Sequence, residues 1–184
     1  GFALLAVGFA LCGLVLSAVL AQMVPIIENL GVRDQAVLCA ALFGPSQVAI
    51  RLFSAISITR SALALTLLST GFLTAAMLLP LATGASVIGA AAFAMLVGFA
   101  SGLHSIVRGT LPLHLFGSLG YATRMGQMAM VRLVLTAFAP FTFAWIEGRT
   151  GTAAALAAMA AAGLAAIACF LGLGRLLSRS AQGG

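Results

Sequence analysis

Few side chains in this chain could do chemistry, and most of those sit inside apolar runs. Gln22, Gln47, Arg51, His104 and Arg132 do so, and Arg108 directly follows one. At membrane depth a guanidinium or an amide is costly unless a partner or a water-filled cavity answers it, so each marks either a helix contact or a solute pathway. Gln47 and Gln22 can hydrogen-bond a neighbouring helix or a substrate. Arg51 lies near the end of its run, where a long stem can snorkel to the interface, latch against a facing bundle or touch substrate. His104 and Arg108 are four apart and share a helix face; like charges there would repel, so a neutral imidazole is expected. The functional alternative is a proton-coupling histidine. Arg132 lies roughly 12 Å beyond Arg124 along a helix, deep for snorkelling if the helix begins there. His114 falls in a link and reads as a surface residue. No acid lies inside a run, so proton coupling would need a carboxylate from outside this chain.

Other chemistries find less support. Cys12, Cys39 and Cys169 each lie in an apolar run with no Cys-x-x-Cys or Cys/His cluster, so no metal or disulfide framework is expected. No G-x-x-x-x-G-K-[ST] loop occurs, no cofactor is expected, and the chain is not read as an enzyme. The remote alternative is a rhomboid-like intramembrane protease, because G-F-A-S-G (98–102) approaches a G-x-S-G motif. Its spacing is off by one, and His104 shares the helix of Ser101, so no base is well placed to reach the nucleophile. Those small residues four apart equally serve close helix packing.

The elements that must position these residues follow from composition. The chain has 184 residues, 62% of them hydrophobic and only 7% charged, more apolar than a water-soluble core can absorb. An all-α polytopic membrane protein in a lipid bilayer is expected, with six spans at about 2–24, 36–58, 62–79, 87–107, 125–146 and 152–177. Together they make one bundle over 1–179, and 180–184 form a polar, disordered tail. Pro25 and Pro80 are taken as helix ends. Arg108 is taken to close the fourth span, and the link 109–121 to lie along the membrane surface. Gly44-Pro45 is a break within the second span, whose Gln47 and Arg51 require facing neighbours.

The nine basic residues, all arginine, outnumber the acids Glu28, Asp34 and Glu147 and give a net charge of +6. They are scattered singly between apolar runs, which argues for topology and against a nucleic-acid partner. Arg60, Arg108, Arg124, Arg175 and Arg179 fall on one side of a six-span chain, which the positive-inside rule makes cytoplasmic along with both ends.

In layout the chain resembles the C-terminal six-helix half of a major facilitator superfamily transporter. Residues 44–60 stand where that half carries a degenerate G-x-x-x-D-[RK]-x-G-[RK] signature; Arg51 and Arg60 remain, and Ser54 stands near the position of the missing acid. R-G-T-L-P-L-H-L-F-G-S-L-G-Y (108–121) and A-P-F-T-F-A-W-I-E-G-R-T-G (139–151) are similar to the link between helices ten and eleven and to the end of helix eleven. The resemblance implies alternating access in a bacterial inner membrane, carrying a small organic solute between this half and an N-terminal six-helix half, so that the chain reads as a piece of a longer one. Helices seven, eight, ten and eleven would line the cavity, with nine and twelve toward lipid. Gln47, Arg132, His104 and Gln22 are then substrate-pathway candidates, and Arg51, Arg60 and Arg108 cytoplasmic gate or latch candidates. The alternative is a non-transporting or self-associating six-helix protein.

Overall fold

A computed structural model describes residues 2–56, 61–116 and 121–182. These form α1 (Phe2–Asn29), α2 (Ala36–Ala41), α3 (Phe43–Ile56), α4 (Ala62–Thr83), α5 (Val87–Phe116), α6 (Tyr121–Thr150) and α7 (Thr152–Gln182), with no strand among the described residues. The short α2 and α3 make one span, Ala36–Ile56, so among the described residues six helical segments are long and apolar enough to cross a membrane. The protein is an all-α, multi-pass membrane protein.

Several ends lie beyond the expected ones. Pro25 is inside α1, which continues to Asn29. A proline removes one backbone hydrogen bond, a loss the helix survives because Ile26 and Ile27 beyond it are both fully buried. The stop is Gly31, at φ 90°. Val32 N donates to Ile27 O and Gly31 N to Glu28 O, the paired bonds of a Schellman cap. Pro80 likewise lies within α4, which ends at Gly84 (φ 58°), whose N donates to Pro80 O. Pro112 lies within α5, so residues 109–116, expected in a surface link, are helical. Residues up to Gln182, expected in a disordered tail, belong to α7.

The second span breaks at Leu42, two residues before Gly44. Pro45 has no N–H to offer the Ala41 carbonyl, and the chain tightens there, with Leu42 N donating to Cys39 O at 3.1 Å. Pro45 then sits in the first turn of α3, where a missing N–H costs nothing.

Packing follows from small residues and self-satisfied hydroxyls. α4 packs along α5, and α7 lies against α4 and α1. α3 runs parallel to α5 across Gly98 and Gly102. A Cβ on Gly98 would stand 2.6 Å from Phe43 O, and one on Gly102 would stand 2.8 Å from Gln47 O. Only glycine lets these two backbones approach so closely. The buried Thr66, Thr70 and Thr74 of α4 each donate to the carbonyl four residues back, at 2.8, 2.8 and 2.9 Å. Ser69 donates instead to Ala100 O on α5 at 2.9 Å, a bond between helices. Phe93, Phe143 and Phe170 are fully buried among them. α3 and α6 are the least covered helices, with Leu52, Phe53, Phe138, Phe141 and Trp145 exposed.

Candidate functional site

A groove opens between α5 and α6, with α1 as its floor. Helical spacing builds each wall. Ser101, His104, Ser105 and Arg108 recur every three or four residues and so share one face of α5; Arg132 and Thr136 do the same on α6. From α1 come Gly13, Leu16, Ser17 and Leu20. The groove encloses about 420 Å³. Arg108 and Arg132 also border a smaller pocket of about 150 Å³, whose other walls are Phe9, Met125, Met128 and Ala129.

The walls are held in register by α1. A Cβ on Gly13 would lie 3.0 Å from Arg132 Cγ and 3.1 Å from Thr136 Cγ2, so the stem of Arg132 crosses α1 where α1 has no side chain. One turn on, Ser17 Oγ donates to Thr136 O at 2.8 Å. Phe9 meets the His104 ring edge-on, with centroids 5.6 Å apart, and His104 is only 8% exposed. Gln47 Nε2 donates to Ser101 Oγ at 2.7 Å, which ties α3 to the back of the α5 wall.

The groove is cationic. No carboxylate lines it among the described residues, although two arginines do. The three acids of the chain lie at the other end of the bundle. Glu28 is in the last turn of α1 and Asp34 in the turn that follows. Glu147 accepts from Asn29 Nδ2 at 3.1 Å and from Thr152 Oγ1 at 2.7 Å.

The sequence candidates divide. His104 and Arg132 line the groove. Arg132 stands about 16 Å along α6 from Tyr121 at 1.5 Å per residue, well inside the helix. Arg108, expected at a helix end as a latch, lines the groove too, because α5 runs two turns past it to Phe116. Gln47 reaches the groove only through Ser101, so of the four helices expected at the cavity α1, α5 and α6 line it and α3 stands behind. Gln22 is half-buried and lines neither cavity. Arg51 is exposed on α3 and lines neither cavity. Arg60 lies outside the described residues, and the side chain of His114 likewise. Ser17, Ser105 and Thr136 were not singled out by sequence; the periodicity of 101, 104, 105, 108 and of 125, 128, 129, 132, 136 carried that signal. Ser101 Oγ takes its hydrogen bond from Gln47, while His104 packs on Phe9. Among the described residues no three His, Cys, Asp or Glu side chains gather as a metal site would require.

No family model, curated protein or solved structure matches this chain.

Proposed function

We propose that this bundle is the C-terminal half of a secondary transporter of the major facilitator type, and that the groove is its share of the pathway for a small organic solute. The observation that carries the reading is the convergence of Arg108, Arg132 and His104 on one open groove inside the spans. Charged residues at such depth face a cavity or a partner, because lipid cannot solvate them. The exposed apolar side chains of α3 and α6 offer a second bundle a surface on which to close, and alternating access then follows from rocking of the two bundles about the groove. The arginine distribution orients the protein with its C-terminus in the cytoplasm of a bacterial cell, in the inner membrane.

Two-sided access is the property to measure, since it requires no knowledge of the solute. In the full-length natural protein, with Cys12, Cys39 and Cys169 replaced by alanine, Ser101→Cys and Thr136→Cys are each challenged with a membrane-impermeant maleimide. Oriented vesicles are labelled from the inner face or from the outer face. Labelling from either side is the expected result. Labelling confined to one side under every condition would refute alternating access. Arg132→Ala is expected to insert normally and to slow transport; a wild-type rate would remove Arg132 from the pathway.

A further inference from the structure

The protonation and hydrogen-bonding state of the groove walls restricts what the groove can hold. Arg108 and Arg132 bring two positive charges, and no described carboxylate among the lining residues offsets them. A cationic solute would be repelled, and a neutral one would leave both charges unanswered in a medium of low dielectric. A guanidinium presents a planar fork of donors that matches the oxygens of a carboxylate or phosphate.

The hydroxyls add a second restriction. Ser17 Oγ donates to Thr136 O, Thr136 Oγ1 to Leu133 O at 3.1 Å, and Ser105 Oγ to Gly102 O at 2.7 Å. Each proton is thus committed to a carbonyl, which leaves the oxygen of each of these lining residues as an acceptor. Ser101 already accepts from Gln47 and retains its own proton. The groove therefore pairs strong cationic donors at one place with hydroxyl acceptors along the rest of its length. An acyl chain would find three acceptors in its path; a hydroxylated body would find partners.

We infer that the groove binds a small hydroxylated organic anion, its carboxylate or phosphate at Arg108 and Arg132 and its hydroxyl groups toward Ser17, Ser105 and Thr136. The inference rests on the groove being a solute pathway, and it names the class of solute. Neither cavity is large: the groove of about 420 Å³ and the adjoining pocket of about 150 Å³ suit a molecule of metabolite size.

Binding is tested apart from transport. The full-length protein is purified into nanodiscs of zwitterionic lipid, and its thermal unfolding is followed with gluconate, hexanoate and gluconamide, and with glycerol 3-phosphate and glycerol. Gluconate and glycerol 3-phosphate are expected to raise the unfolding temperature. Gluconamide, glycerol and hexanoate are expected to do so at least tenfold more weakly in concentration. Arg132→Gln and Arg108→Gln should each lose the response by tenfold or more. Arg51→Gln removes an equal charge outside the groove and should keep it. Should either groove variant fail to fold, Arg132→Lys replaces it, with a weakened response expected because the fork is lost while the charge stays. Anions that stabilise no better than their neutral partners, or a response equal in Arg132→Gln, would overturn the proposal. Hexanoate equal to gluconate would overturn the hydroxylated class. A response abolished by a small fraction of anionic lipid, with none of the soluble acids able to compete, would assign the groove to lipid headgroups and overturn it also. Anion binding without two-sided cysteine labelling would leave this site standing and remove the transport reading. Two-sided labelling without anion binding would do the reverse.

Discussion

Gly98→Ala tests the contact that holds α3 against the groove wall. The added Cβ would stand 2.6 Å from Phe43 O, 2.8 Å from Ser46 Cβ and 3.2 Å from Gln47 N. Carbon contacts are optimal at about 3.5–4.0 Å, so α3 must retreat by roughly 0.7 Å or more. The obstructing atoms belong mainly to backbone and a Cβ, so no rotamer change relieves them. Overpacking of this kind costs about 1–3 kcal/mol. Alanine is the better helix former by up to ~1 kcal/mol, which offsets part of that. The net expectation is a loss of about 1–2 kcal/mol, a five- to thirtyfold fall in the folding equilibrium constant. Gly71→Ala is the matched control, because nothing lies within 4 Å of its Cβ position on α4. Reversible unfolding in mixed micelles at increasing SDS fraction, followed by circular dichroism, measures both. Gly98→Ala unfolding at the same SDS fraction as the unmodified protein would refute the argument that backbone approach at this position joins α3 to α5.

Two further outcomes follow from the same packing. Gly13→Val places a branched side chain against the stem of Arg132 and the methyl of Thr136, and it should displace the guanidinium. The check is anion-induced stabilisation in nanodiscs, expected to fall at least tenfold; an unchanged response would mean that Arg132 is not held by α1. Gln47→Leu deletes the bond to Ser101 while keeping the bulk, and it should cost about 0.6 kcal/mol, the usual worth of a hydrogen bond between membrane helices. In the SDS titration a loss above ~2 kcal/mol, or none, would show that the bond has another role or does not form.

Particular residues mark where sequence reasoning stopped. Gly44-Pro45 announced a break in the second span, and the break occurs at Leu42, because a proline disturbs the turn before it. Pro25 and Pro80 read as stops in the sequence, yet both lie inside helices, as does Pro112. At Pro25 the helix is continued by Ile26 and Ile27, both fully buried, and that burial is a property of neighbours. The misplaced end of α5 then gave Arg108 an interfacial role. With the helix continued to Phe116, the same residue moves two turns inward and joins Arg132.

Composition and the spacing of apolar runs were sufficient by themselves for an all-helical membrane protein of six spans, because the cost of unpaired backbone groups in lipid leaves few alternatives. They also sufficed to mark Gln47, His104 and Arg132 as polar groups that need an answer. Which answer each receives was decided only in the folded bundle: Ser101 for Gln47, Phe9 for His104, and an open groove with no described acid for Arg132. Period along one helix fixes which residues share a face. The partner of that face depends on where glycines such as Gly13, Gly98 and Gly102 let other backbones come close, and that is settled only when distant parts of the chain meet.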